Sequence, residues 1–194
     1  MAIDRAKKLM TYPEFAALPD DGKLYELVDG EPVVSPAPTL THQTLLWRLI
    51  SVFDAYQSAH PAAGRFVVGP YDVVLSIHHA LHPDLLFFAR QRERLLTDAF
   101  AGGAPDLAVE ILSPSTAGRD KGRKRELYDE FGVAEYWIVH QKRPQVDVYR
   151  RGAAGRLQKA QSLGAGAAIQ TPLLPGFTLA LDTLFKGLPA PSKG

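Results

Sequence analysis

The stretch that decides the fold is Asp106-Leu-Ala-Val-Glu-Ile-Leu112, an apolar run that contains two acidic residues. Alternation along a β-strand puts Asp106, Ala108, Glu110 and Leu112 on one face and the other three residues on the opposite face. Burying a carboxylate without a partner costs several kcal/mol. Glu is rarely buried without a partner, so the position of Glu110 inside this strand indicates a functional role.

Further strands and helices are predicted on both sides of this stretch. Short apolar runs at 65–68, 72–75 and 84–88 predict strands of the same central sheet, and runs at 135–139 and 145–149 predict two more. Apolar residues at three- and four-residue spacing predict helices at 41–60 and 119–131. Asp29-Gly30, between two β-rich runs, predicts a hairpin that carries Glu26. The pattern is typical of a mixed α/β domain.

The remaining elements are weaker. Thr11 and Glu14 have capping-box spacing before a short helix. Two strands near 156–162 and 167–170 and a short helix near 182–185 close the chain.

Composition limits the function classes. With 194 residues, 46% of them hydrophobic, the chain can bury one core, so we expect one domain at 11–186, with flexible segments at 1–10 and 187–194. The formal net charge of +1 gives no overall attraction to nucleic acid or to an anionic membrane. The absence of cysteine excludes disulfides and thiolate zinc sites and suits the reducing cytoplasm. No segment resembles a signal peptide or a membrane span, so we expect a cytoplasmic protein without a membrane partner.

Three acidic residues lie within apolar runs: Glu26, Asp84 and Glu110. Carboxylates that converge at strand ends would bind a hard cation such as Mg²⁺, which takes one or two protein carboxylates and keeps several waters. The metal could then activate water and stabilise charge on phosphorus. The alternative for Asp84 and Asp106, which both follow a proline, is that each merely begins a strand.

Lys124 lies three and four residues before Leu127 and Tyr128 on the second predicted helix, so it belongs to the face that meets the sheet. The alternative is an ion pair with Asp120 on the helix surface. Four further basic residues could contact a phosphate backbone, although such a run is often a solvated face: Arg119, Lys121, Arg123 and Arg125.

Histidines and hydroxyl residues offer weaker candidates. His42 lies near the start of the long helix, and His78, His79 and His82 precede Asp84. These three could bind a transition metal, but a polar turn is the favoured interpretation. Ser113, Ser115 and Thr116 favour helix capping over nucleophilic catalysis, since no base or elbow motif accompanies them.

The order of motifs closely resembles the Uma family of endonucleases, which is grouped with the PD-(D/E)XK nucleases. The similarity spans about residues 11 to 185 and is most specific at 105–139. The motifs that carry it are Tyr25-Glu-Leu-Val-Asp-Gly-Glu31, His42, Pro83-Asp84, Pro105-Asp-Leu-Ala-Val-Glu-Ile-Leu-Ser-Pro-Ser-Thr116, Asp120, Lys124, Tyr128 and Gly132-Val-Ala-Glu-Tyr-Trp-Ile-Val139.

The resemblance implies a restriction-endonuclease-like fold, a central mixed sheet flanked by helices, with the hairpin as an N-terminal extension. It implies that Asp84 and Glu110 are the two acids of the site and that Glu26 is an additional metal ligand. The superfamily's usual lysine position holds Leu112, and Lys124 takes over that role from the helix, with His42, Asp106 and Tyr128 as supporting residues. His140-Gln141 stands where relatives tend to have Asp-Pro.

These observations predict a metal-dependent nuclease that hydrolyses phosphodiester bonds in DNA, using Mg²⁺ or Mn²⁺ held by Asp84, Glu110 and Glu26. Lys124 would orient or deprotonate the attacking water. The resemblance favours a homodimer. One alternative is a non-catalytic DNA-binding or assembly module on the same fold. Another is a hydrolase of small phosphorylated metabolites, which predicts a closed pocket in place of a basic groove.

Overall fold

The computed structural model describes residues 8–112, 118 and 120–188, and for residues 120 and 121 it describes the backbone alone. Most of the two segments predicted to be flexible therefore lies outside the described residues. The same holds for Arg119 and for the three hydroxyl residues predicted to cap a helix. At the N-terminal side, the backbone N–H of Met10 donates to the carbonyl of Gly30 at 2.9 Å.

The helices are few and mostly short. They are α1 (Tyr12–Ala16), α2 (Leu40–Ala59), α3 (Arg125–Glu130) and α4 (Leu181–Phe185), with a 3₁₀ helix at Arg90–Leu95 and a π-helical turn at Asp120–Lys124 that leads into α3. The strands are β1 (Leu24–Val28), β2 (Glu31–Ser35), β3 (Gly64–Val68), β4 (Asp72–Ser76), β5 (His79–Leu81), β6 (Leu85–Ala89), β7 (Phe100–Ala101), β8 (Leu107–Leu112), β9 (Glu135–His140), β10 (Val146–Arg151), β11 (Leu157–Leu163), β12 (Ala168–Ile169) and β13 (Leu179–Ala180).

A six-stranded sheet forms the centre, in the order β11-β10-β9-β8-β6-β3. Strands β8 and β9 are parallel and are joined through α3, while the other neighbours are antiparallel. A parallel pair needs such a crossover, whereas antiparallel strands can be joined by short turns. The predicted mixed α/β class, with a mixed sheet flanked by helices, is confirmed.

A second sheet of five strands has the order β2-β1-β5-β4-β7. Its β1–β2 hairpin turns at Asp29 and Gly30, both with positive φ (53° and 70°), as the Asp-Gly pair predicts. The prediction that 72–75 belongs to the central sheet is wrong. This segment is β4, which pairs with β5, a three-residue strand that begins at His79 and is too short to be read from the sequence.

The alternation predicted for β8 separates two hydrophobic layers. Leu107, Val109 and Ile111 pack with α2 and the C-terminal segment. Ala108 and Leu112 face the other way, toward α3 and the five-stranded sheet. Glu110 shares this second face, so a carboxylate from the middle of the central sheet is enclosed between the two sheets.

Candidate active site

Lys124 is the centre of a buried charge cluster. Its ammonium lies 2.8 Å from Glu110 Oε1 and 2.7 Å from Glu26 Oε1, and its side chain is 4% exposed. Glu110 belongs to β8 of the central sheet, Glu26 to β1 of the second sheet, and Lys124 to the turn before α3. Three separate elements therefore deliver one cation and two carboxylates to the same point.

The inward orientation of Lys124 follows from helical spacing, since Leu127 and Tyr128 are fully buried one turn later. Two carboxylates at hydrogen-bonding distance stabilise the charged ammonium. The side chain of Asp120, its predicted surface partner, lies outside the described residues.

Tyr128 supports Glu110 from the same helix. Its hydroxyl donates to Glu110 Oε1 at 2.9 Å. Burial raises the pKa of Tyr128 well above its ordinary value, and the negative charge of Glu110 acts in the same direction. The phenol therefore stays protonated and remains a hydrogen-bond donor to the carboxylate.

Asp84 stands directly before β6, on the strand next to Glu110. The register pairs Leu85 with Val109, so Asp84 and Glu110 occupy adjacent positions of neighbouring strands. The Asp84 carboxylate accepts a hydrogen bond from the backbone N–H of Ile111 at 2.6 Å through Oδ2. Its Oδ1 lies 3.0 Å from His42 Nε2. Both oxygens are thus oriented before any ligand arrives.

A cavity of about 150 Å³ opens between these groups. The end of β2 and the following prolines, the first turns of α2, the 69–70 and 82–84 segments and β8 form its wall. Asp84, Glu110, Lys124 and His42 all line it. Glu26, which is fully buried, is not among the described residues that line the cavity, so it stands behind the lysine.

His82, which was predicted to lie in a polar turn, lines the cavity. Its backbone N–H donates to Glu26 Oε1 at 2.9 Å, and its ring contacts Asp72 through Nε2. The other two histidines of the predicted turn are bound elsewhere, His79 to Asp29 and His78 to the carbonyl of Met10. The only sequence signal for His82 is its place just before Pro83-Asp84.

Asp106 does not face the cavity. Its carboxylate accepts from the backbone N–H of Ala89 at 2.8 Å and lies 3.3 Å from Arg92 Nη1. The expectation that Asp106 shares a site with Glu110 is therefore corrected. Asp106 stands just before β8 and binds the 3₁₀ segment, so it acts as a strand-entry residue.

The basic residues near α3 are largely engaged within the chain. Arg123 forms a paired contact with the Asp29 carboxylate, with Nε at 2.8 Å, and Arg125 lies over the ring of Tyr149. Arg119 and the side chain of Lys121 lie outside the described residues. Arg123 instead ties the segment of Lys124 to the hairpin that carries Glu26.

His140 is buried at the end of β9, where its Nε2 lies 3.1 Å from Asp147 Oδ2. Burial acts to raise the pKa of Asp147, but hydrogen bonds from Ser162, Gln145 and His140 prevail and hold it below its ordinary value. The histidine therefore faces a carboxylate that remains charged.

The cavity offers a divalent cation two carboxylate ligands. Asp84 and Glu110 offer two carboxylates to one cavity, and that is the number of protein carboxylates that Mg²⁺ usually takes. Among the described residues no group of three or more His, Cys, Asp or Glu side chains is arranged to hold a metal. The site therefore suits a cation that keeps most of its waters.

The fold is shared with a solved protein, "a putative nuclease belonging to DUF820" from Anabaena variabilis. The two match with a TM-score of 0.76 at 21% identity, over 91% of this chain and 97% of the other. A curated Synechocystis protein, "Uncharacterized protein slr1290", is 25% identical over 168 residues, 84% of each chain.

The family model for Uma2, described as "Putative restriction endonuclease", matches residues 12–182. The chain belongs to this family, and the resemblance found in the sequence is confirmed. Family and fold together support a nuclease. No helix in the described part of the chain is long and apolar enough to cross a membrane.

Proposed function

We propose that this protein is a metal-dependent nuclease that hydrolyses phosphodiester bonds in DNA, with Asp84, Glu110 and Lys124 as its active-site residues. The observation that carries the proposal is the buried ammonium of Lys124, held beside Glu110 at the inner wall of a cavity that Asp84 also lines. Buried charged groups in a concave site are typical of catalysis.

Asp84 and Glu110 would hold the cation, and Mg²⁺ or Mn²⁺ would satisfy the oxygen donors. When bound, such a cation supplies a more acidic water and stabilises negative charge on the phosphate. Asp84 is prepared for this role because Ile111 N–H and His42 fix its two oxygens. Partners of this kind orient metal ligands in many proteins.

Lys124 acts as a charged hydrogen-bond donor in this proposal. Two carboxylates hold its ammonium, so it is suited to orient a water or a phosphate oxygen and to offset charge in the transition state. Glu26 fixes the position of the ammonium from behind, and this position supports a role in orienting Lys124 more than a role as metal ligand.

The decisive experiment is a cleavage assay on single-stranded, duplex and supercoiled DNA with Mg²⁺, with Mn²⁺ and with EDTA. We expect cleavage that depends on the metal and is lost in Glu110→Gln. Glu130→Gln, on the exposed side of α3, is the matched control and should cleave normally. Metal-independent binding without cleavage would favour the non-catalytic DNA-binding alternative. Turnover of only a small phosphodiester would favour the metabolite hydrolase.

A further inference from the structure

Two large apolar side chains project from α2 into solvent beside the cavity. Leu40 is 77% exposed and Trp47 is 70% exposed. They lie seven residues apart, so they share one helical face, about 10 Å from each other along the axis. Gln43 lies between them on that face and lines the cavity. The exposed tryptophan therefore lies one helical turn from a residue of the cavity wall.

The chain segment that contains Leu40 and Trp47 carries no negative charge. No Asp or Glu occurs between Glu31 and Asp54, and the charged side chain in this interval is Arg48. Leu24 and the Pro36-Ala37-Pro38 segment form an uncharged part of the cavity wall. The segment itself therefore adds no negative charge to that of Asp84 and Glu110 in the cavity, and its exposed indole offers an apolar aromatic face to a nucleobase.

We propose that Trp47 is a stacking platform for an unpaired nucleobase, and that the substrate of the active site is single-stranded or locally unpaired nucleic acid. This inference rests on the proposed nuclease function, because the cavity beside Trp47 is the one that would hold the scissile phosphate. A paired base offers no free face to the indole, whereas every unpaired base does.

A second copy of the chain is the competing occupant of this surface. Stable protein interfaces bury about 800 Å² on each partner. Two separated side chains on one helix provide far less apolar area than that, even when both are covered. A platform for a base must also lie next to the reacting phosphate, and the place of Trp47 one turn from Gln43 of the cavity wall meets this requirement.

The test uses the intact protein in EDTA, so that binding is measured without cleavage. A labelled single strand of about 12 nucleotides and a blunt duplex of the same sequence are the probes, a length within the range that one nucleic-acid-binding domain covers. Anisotropy reports the affinity, and intrinsic fluorescence reports stacking. The chain has two tryptophans, and Trp137 is fully buried, so Trp47 is the one open to quenching by a base.

We expect the single strand to quench the fluorescence and to bind more tightly than the duplex. Trp47→Phe should bind nearly as well but lose the quenching, because only the buried tryptophan remains. Trp47→Ala should bind about fivefold to a hundredfold more weakly, the usual effect of removing one stacking side chain. Ile77→Ala, which truncates an exposed apolar residue outside the cavity wall, should bind normally.

Binding without quenching, equal quenching by the duplex, or normal affinity of Trp47→Ala would each overturn the inference. Loss of a dimer in Trp47→Ala, seen by analytical ultracentrifugation without a change in affinity, would assign the surface to a second copy. Metal-dependent cleavage that is unchanged by substitution of Trp47 would overturn the platform but leave the nuclease proposal standing. If neither probe binds and no DNA is cleaved, the proposed function fails together with the platform.

Discussion

The ammonium of Lys124 lies 2.7 Å from the carboxylate of Glu26, and neither side chain is more than 4% exposed. Each belongs to a different layer, one to the segment before α3 and the other to the five-stranded sheet. With Glu110 on the other side of the ammonium, the cluster holds two negative charges and one positive charge inside the protein. Substitutions in this cluster can therefore separate its contribution to the free energy of unfolding from its contribution to cleavage.

Lys124→Met should both destabilise the protein and stop cleavage. Removing the ammonium leaves Glu26 and Glu110 buried without their shared cation, at a cost of about 3–5 kcal/mol in the free energy of unfolding. Cleavage should fall by a factor of about a hundred or more. Urea unfolding and single-turnover cleavage measure the two effects. The exposed Lys142→Met is the control and should change neither.

The double variant Glu26→Gln/Lys124→Met should recover much of the lost stability, since one of the stranded carboxylates becomes neutral. It should remain inactive. Recovery of cleavage in this variant would show that Lys124 acts only through the stability of the fold.

Glu110→Gln should cost little stability, about 1.5 kcal/mol or less, because its amide oxygen can still accept from Tyr128 and Lys124. Glu110→Ala leaves the Tyr128 hydroxyl without this acceptor and should cost about 1–3 kcal/mol more. Calorimetric titration with Mn²⁺ should detect binding to neither variant. Retained Mn²⁺ affinity in Glu110→Gln would exclude this carboxylate as a ligand.

His42→Ala should weaken metal binding or cleavage by about 10- to 100-fold, the usual effect of removing a partner that orients a ligand. The reason is that His42 Nε2 lies 3.0 Å from Asp84 Oδ1. His60→Ala, at the exposed end of the same helix, is the matched control. The apparent metal affinity, measured from the rate at a series of Mg²⁺ concentrations, decides whether Asp84 needs this contact.

Acid should release the contact between Arg123 and Asp29. The Arg123 hydrogen bond lowers the pKa of Asp29 to about 2. A depressed carboxyl pKa contributes stability that is fully present above about pH 4 and is lost as the pH falls toward 2. Because Asp29 is half exposed, we expect about 1 kcal/mol or less.

Asp29→Asn tests this contribution, since asparagine tolerates the positive φ of 53° at this turn. Urea unfolding between pH 2 and 5 should show a shallower loss of stability in the variant. An identical pH profile for both proteins would mean that the contact contributes nothing to folding.

His140→Asp, which introduces the residue that the family resemblance suggested for this position, should destabilise this chain. It would place a second carboxylate against Asp147, whose pKa is already held low by its hydrogen-bond donors. His140→Asn, a neutral replacement, should be tolerated better. Thermal unfolding at neutral pH compares the two, and an equally stable Asp variant would show that the pocket accepts both charges.

The sequence predicted the elements that depend on strong local patterns. The long amphipathic helix, the Asp-Gly turn and the alternation of β8 were all visible because their periods are regular. These are properties of neighbouring residues, so no tertiary information was needed. Helical spacing put Lys124 on the face that meets the sheet, although a surface ion pair with Asp120 remained an alternative until the contacts with Glu26 and Glu110 were seen.

The rest depended on contacts between distant segments. Nothing in residues 72–76 indicates that they join the hairpin sheet, because their partner β5 has only three residues. Asp84 and Asp106 look alike in sequence, since both follow a proline and precede an apolar run. Strand register separates them, placing Asp84 beside Glu110 and Asp106 toward Arg92. The pairing of Arg123 with Asp29 likewise requires the folded chain.

The proposed active site draws its residues from separate elements, so it is complete only in the folded chain: Glu26, Asp84, Glu110 and Lys124. A chain divided after the exposed Gly102 would leave Glu26 and Asp84 on one fragment and Glu110 and Lys124 on the other. Under the proposed function neither fragment would hold a complete active site, and we expect DNA cleavage only after the two fragments have reassembled. The same dependence holds during synthesis on the ribosome: the growing polypeptide should be inactive until Lys124 has emerged and docked.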